Sequence, residues 1–168
     1  MSERTRSTFD RRKMLAALFS LGATPWAYAA NEQRVTWTDI TLIDGSVVRA
    51  DELRAQPVVV EIWATWCPYC KKQNPSVQKL HETTAGKGLK VLTFAIDDDV
   101  ELIRAYQRRY KYTFAVARST PQIERMFAWG RGVPELYVVD TSGRIVVRED
   151  DEMFPEDVAA LARFATGA

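Results

Sequence analysis

Cys67 and Cys70 are the only cysteines in a chain of 168 residues, and two residues separate them. A pair at this spacing can close and reopen a disulfide across a single turn. The run Val58-Val59-Val60-Glu61-Ile62-Trp63 ahead of them is apolar and rich in β-branched residues. That is the pattern of a strand buried on both faces. The residues after Cys67, through about His81, read as a helix, which sets Cys67 at a helix N-terminus. Unpaired backbone N–H groups and the macrodipole favour a thiolate there, and the thiolate is the form of cysteine that attacks disulfides. Pro68 suits the first helical turn, where its missing N–H costs nothing. Glu61 is the anomaly, a lone carboxylate within the apolar strand before Cys67. Together these residues point to thiol–disulfide exchange.

Two plainer uses of the pair compete with that reading. A structural zinc site needs four ligands, and the chain offers two cysteines and one histidine, His81. A purely structural disulfide across so short a loop would add little stability.

The elements around the turn follow from local patterns. Residues 36–42 alternate, and Asp44-Gly45 makes a hairpin turn into Ser46-Val47-Val48. Asp51 is expected to cap a short turn through Arg54. Leu89 to Ile96 is a continuous apolar strand. Asp98 with Glu101 fits a capping box, with Asp97, Asp98 and Asp99 in a solvated turn. The helix from Val100 to about Tyr110 is expected to bury Leu102, Ile103 and Tyr106. Its basic residues Arg104, Arg108, Arg109 and Lys111 are expected in solvent. A short strand over 114–117 follows. Thr120-Pro121 then opens a helix that buries Ile123, Met126 and Phe127 and ends near Gly130. Strands over 133–140 and 144–148 are joined through Gly143. Residues 149–152 form an acidic loop, and Phe154-Pro155 leads into a last helix through Phe164. This order predicts an α/β fold with a central mixed β-sheet flanked by helices and an N-terminal β-hairpin extension. A right-handed crossover makes the first two core strands parallel.

Hydrophobic content of 46% and charged content of 27% are ordinary for a globular protein. The formal net charge is +1, and no basic patch points to nucleic acid. Residues 1–29 carry five Lys or Arg against two acids, whereas residues 30–168 carry 18 against 20. Arg11-Arg12-Lys13, a short apolar core from Met14 to Ala23, Pro25 and Ala27-Tyr28-Ala29 together read as an export signal cut after Ala29. The expected organisation is an export signal peptide over 1–29 and one domain over 30–168. An uncleaved membrane anchor is the alternative. Export would place the cysteines in a periplasmic, disulfide-permissive compartment.

Trp66-Cys67-Pro68-Tyr69-Cys70 after a hydrophobic strand resembles the active-site segment of the thioredoxin superfamily. Trp63-Ala64-Thr65-Trp66-Cys67 is most similar to its TlpA/ResA branch of periplasmic thiol-disulfide oxidoreductases, while Pro68-Tyr69 is the glutaredoxin pair. Pro75 matches the proline within the thioredoxin active-site helix. The resemblance implies a thioredoxin-like fold in which Cys67 attacks and Cys70 resolves the mixed disulfide. It implies that Glu61 is the buried acid of the family, a proton carrier for Cys70. It implies that Pro134 is the cis-proline beside the dithiol, where the Val133 backbone can pair with an extended substrate. Trp66, Pro68 and Tyr69 complete the expected substrate-binding set. Gln73 and Glu135 depart from the family pattern. Gln73 stands where ResA-like proteins carry a glutamate, so the proton transfer falls to Glu61. Glu135 is expected to face solvent, the alternative being an acid at the rim of the active site that would oppose thiolate formation, and His81 has no catalytic part.

The implied function is exchange of the Cys67–Cys70 disulfide with protein thiols or disulfides, as a reductant, without cofactor or metal. A membrane redox donor or acceptor and a monomeric state go with it. The alternatives are a DsbA-like oxidant and a binding or chaperone module without turnover.

Overall fold

The computed structural model describes residues 33–130 and 132–167. The expected export signal over 1–29 lies outside the described residues. A five-stranded mixed sheet has the order β5-β4-β3-β6-β7. Its strands are β3 (Val58–Trp63), β4 (Lys90–Ala95), β5 (Ala115–Arg118), β6 (Glu135–Val139) and β7 (Ile145–Glu149). β3 pairs parallel with β4 and antiparallel with β6. The central position of β3 explains its composition, because every residue from Val58 to Trp63 is buried. Each such valine or isoleucine side chain taken from water contributes roughly 1.5–3 kcal/mol.

Among the described residues, five α-helices complete the order: α1 (Ala50–Arg54), α2 (Pro68–Thr84), α3 (Val100–Tyr110), α4 (Pro121–Phe127) and α5 (Pro155–Ala160). A 3-10 turn over Leu161–Phe164 extends α5. Val77 and Leu80 of α2, Ile103 of α3 and Val158 of α5 pack with Val59 and Trp63 on one face of the sheet. Leu53 of α1 and Ile123 and Phe127 of α4 pack with Val58, Val60 and Ile62 on the other. Trp63 is anchored at depth by its indole N–H, which donates to Thr93 Oγ1 at 3.0 Å. A small hairpin, β1 (Ile40–Thr41) with β2 (Val47–Val48), precedes this core.

Several local expectations are corrected. The N-terminal hairpin strands are two residues each, shorter than the alternation implied, because a two-stranded ribbon at the margin has no further strand to pair with. α1 has no side-chain cap from its N-cap residue Arg49, although Asp51 accepts from Glu52 N at 3.1 Å. Its first N–H, that of Ala50, is taken by Asp39 rather than Asp51. Asp99, not Asp98, caps α3 by accepting from Glu101 N at 2.9 Å. Leu102 is 50% exposed because Ile103 occupies the core side of α3. Arg104 is not simply solvated, since its guanidinium donates to Ile43 O and bridges α3 to the hairpin. α4 stops at Phe127, where Ala128 turns into the left-handed region. The sixth strand starts at Glu135, after Pro134, which has no N–H to give to a ladder.

Candidate active site: a dithiol at a helix N-terminus

Cys67 is the N-cap residue of α2, with extended backbone angles, and Pro68 occupies the first turn. Its Sγ accepts from Cys70 N at 3.0 Å, so an otherwise unpaired helix N–H points at the sulfur. Charge on that sulfur is favoured by the N–H and by the helix dipole. Cys67 and Cys70 form a disulfide with Cα atoms 5.3 Å apart. Cys67 is 2% exposed and Cys70 is fully buried, so only the first sulfur borders the surface.

Two further segments reach this turn. Cys67 Sγ lies 3.5 Å from the carbonyl oxygen of Val133. The Val133–Pro134 peptide bond is cis. Thr65, two residues before Cys67, donates its N–H at 2.9 Å and its hydroxyl at 2.5 Å to the Asp97 carboxylate. Asp97 is buried, which corrects the solvated-turn expectation. It ties the turn before the cysteines to the segment after β4, a role that capping logic had hidden. Trp66 and Tyr69 project beside the dithiol, 67% and 51% exposed. Lys72 lies over the Tyr69 ring at 5.2 Å and pairs with Glu152 at 3.5 Å.

Glu61 is fully buried on β3, on the same sheet face as Val59 and Trp63, the face that α2 covers. Burial pushes its carboxyl up to about 8, against a smaller opposing effect from a hydrogen bond with Gln73. Gln73 Nε2 donates to Glu61 Oε1 at 2.9 Å. Glu61 Oε2 has no protein hydrogen-bond partner among the described residues. Tyr106, at the α3 side, is also held above the usual phenol range, first by burial and next by its neighbouring tyrosines. In sequence Gln73 has no part beyond its neutrality, and the structure gives it the contact with Glu61. The signal that could have placed it was its spacing, since Cys70 and Gln73 are i and i+3 on one helix face.

Glu135 corrects the expectation of a solvent-facing residue. It is 1% exposed, and Arg148 Nη2 of β7 donates to its Oε1 at 2.7 Å. Its register partner on β3 is Ile62, which puts it on the opposite sheet face from Glu61. It therefore does not join the dithiol. His81, expected to be a surface residue of α2, is half-buried, and burial lowers its titration. Among the described residues no group of three or more His, Cys, Asp or Glu could hold a metal ion.

Residues 33–148 match the AhpC/TSA family. The thiol-disulfide oxidoreductase ResA of Geobacillus thermodenitrificans (strain NG80-2) is 24% identical over 153 residues, 86% of this chain and 87% of that protein. The soluble secreted antigen MPT53 of Mycobacterium tuberculosis (strain CDC 1551 / Oshkosh) is 30% identical over 97 residues, 58% of this chain and 54% of that protein. Among solved structures, a thiol:disulfide interchange protein of the thioredoxin family from Chlorobium tepidum TLS has a TM-score of 0.74 at 22% identity. It covers 82% of this chain and 99% of that one, and it shows the shared fold. With the dithiol at the head of α2 and these relatives along most of its length, the chain belongs to the AhpC/TSA family and is a thiol-disulfide oxidoreductase of thioredoxin-like fold.

Proposed function

We propose that the protein is exported, loses residues 1–29, and reduces disulfides of partner proteins outside the cytoplasm. The observation that carries the exchange itself is the position of Cys67 Sγ, between the Cys70 N–H and the Val133 carbonyl. The Cys67 thiolate attacks one sulfur of the partner's disulfide, and the other leaves as a thiolate. A mixed disulfide then joins Cys67 to the partner. The Cys70 thiol gives its proton to the Glu61 carboxylate, and its sulfur attacks Cys67. The partner's second sulfur leaves, and the domain is left with its Cys67–Cys70 disulfide. Two electrons have passed to the partner, so a membrane redox donor must restore the dithiol. Trp66, Pro68, Tyr69, Val133 and Pro134 form the surface on which an extended partner segment lies. The protein works as a monomer. The basic n-region, apolar core and Ala27-Tyr28-Ala29 support export, as does the likeness to a secreted antigen over part of the chain.

One observation favours the opposite direction. The Cys70 N–H on Cys67 Sγ stabilises the reduced form and raises the potential. The potential of residues 30–168 separates the two. A value of about −270 mV, typical of a reductant, supports reduction, and a value of about −120 mV supports an oxidant. The assignment of the two sulfurs has its own check. Cys70→Ser is expected to trap mixed disulfides through Cys67, and Cys67→Ser is not. Equal trapping by both would overturn it.

A further inference from the structure

The Glu61 carboxyl group is held by a side chain whose orientation is set from a third element. Gln73 is one turn after Cys70 on the same face of α2, and both are buried. A glutamine amide can turn either its NH2 or its oxygen toward a neighbour, and only the NH2 can donate to a carboxylate. Here the main-chain N–H of Met153, between β7 and α5, donates to Gln73 Oε1 at 2.7 Å. An N–H can only donate, so it commits the amide oxygen to Met153. The NH2 is left for Glu61, which it reaches at 2.9 Å. The three groups form a directed chain from the α5 loop, through the active-site helix, to the central strand.

We propose that Gln73 is a positioning residue: locked by the Met153 N–H, it holds the Glu61 carboxyl on the sheet face that α2 covers and favours its ionised, proton-accepting form. The hold on Glu61 stands on geometry alone; its consequence for turnover rests on the proton-carrier role proposed above. The stakes are set by burial, which works against the ionised form while the Gln73 bond works for it. Among the described residues, two tyrosines are the titratable groups on other elements whose titration responds to Glu61. Tyr106 of α3 and Tyr112 beyond it feel the Glu61 charge, and both titrate above the usual phenol range, chiefly through burial, so they stay neutral near neutral pH. The register neighbours on β4 and β6 are Thr93 and Leu136, which do not titrate there. From α2 comes the Cys70 thiol once the disulfide opens. The α5 loop contributes the Met153 N–H.

In the step concerned, the Cys70 S–H bond breaks and its proton passes to a Glu61 oxygen. The Cys70 electron pair forms the bond to Cys67 Sγ, and the Cys67–partner bond breaks with its pair on the partner's sulfur. Glu61 must be ionised for the first of these events.

Gln73→Met keeps the length and removes the hydrogen bonds. Gln73→Asn keeps the amide but cannot reach both partners. Met153→Pro removes the N–H and leaves Gln73 in place. The titration of Glu61 is read by infrared difference spectroscopy of its carboxyl band in each reduced, folded protein. Resolution of a preformed mixed disulfide is timed by stopped flow across pH. Gln73→Met and Gln73→Asn are expected to move the Glu61 midpoint to higher pH. The ionised-to-neutral ratio at fixed pH falls by about ten- to a hundred-fold, and resolution below the midpoint slows in proportion. Met153→Pro is expected to move it the same way by less. Adding Gln73→Met to Glu61→Gln is expected to change the pH profile no further. A Glu61 midpoint unchanged in both Gln73 variants would overturn the proposal. A midpoint that moves while resolution rates do not would uphold the hold of Gln73 on Glu61 and would instead refute Glu61 as proton carrier.

Discussion

A carboxyl group on the central strand is worth its cost only if its protonation is used. Glu61 titrates near 8 in the fold against 4.5 in the unfolded chain. The folded state therefore binds its proton more tightly. Stability from this group is fully present below about pH 4.5, declines as pH rises, and is lost once pH passes about 8. Urea unfolding at several pH values across that window is expected to show a slope approaching about 1.4 kcal/mol per pH unit. Glu61→Gln is expected to remove this contribution and to be the more stable protein at the alkaline end. An unchanged slope in Glu61→Gln would assign the effect to another group. The Glu135–Arg148 pair is a different case, because both partners are charged and joined at 2.7 Å. Arg148→Ala leaves a carboxylate buried without its partner. The expected loss is about 3 kcal/mol, the low end for a buried pair because the Arg148 side chain is 34% exposed. Combining it with Glu135→Gln is expected to recover most of that loss in the same unfolding assay.

Elements are placed here by contacts between turns as much as by sheet pairing. The turn between β6 and β7 is one such point. Gly143 has φ +82, and a Cβ on it would stand 2.6 Å from Val35 O. Val35 N in turn donates to Gly143 O at 2.7 Å, so the N-terminal segment lies tightly against the turn. Gly143→Ala is expected to destabilise by about 1–3 kcal/mol through backbone strain and this close approach. Thermal melts of the two proteins give the difference directly. The active-site helix was legible at its start, because a proline that fits the first turn is a local signal. Its interior Pro75 does not end it, and it continues to Thr84. The packing of Val77 and Leu80 against the sheet outweighs the one backbone bond lost.

At the scale of the whole molecule the disulfide is a reagent and not a brace. It joins residues three apart, and a loop that short contributes at most about 2 kcal/mol by chain entropy. The sheet and its two packed faces hold the described residues together. Reduced protein is expected to keep its near-ultraviolet circular dichroism and a cooperative urea transition. Loss of either on reduction would mean that the fold depends on the bond.

The cysteine spacing, the buried central strand, the helix start and the order of elements could all be read along the chain. Each depends on residues within a turn or two of one another, and hydrophobic period and turn chemistry report such short distances. The partnerships around the site could not be read that way. Thr65 finds Asp97 over 32 residues, Cys67 meets Val133 over 66, and Gln73 takes the Met153 N–H over 80. Glu135 faces away from Glu61 because its register on β6 sets it opposite Ile62. A shift of one residue would have turned it to the other face. Local composition fixes which strand forms, but only the assembled sheet fixes which face each side chain takes, and so which of the two buried acids shares a face with α2.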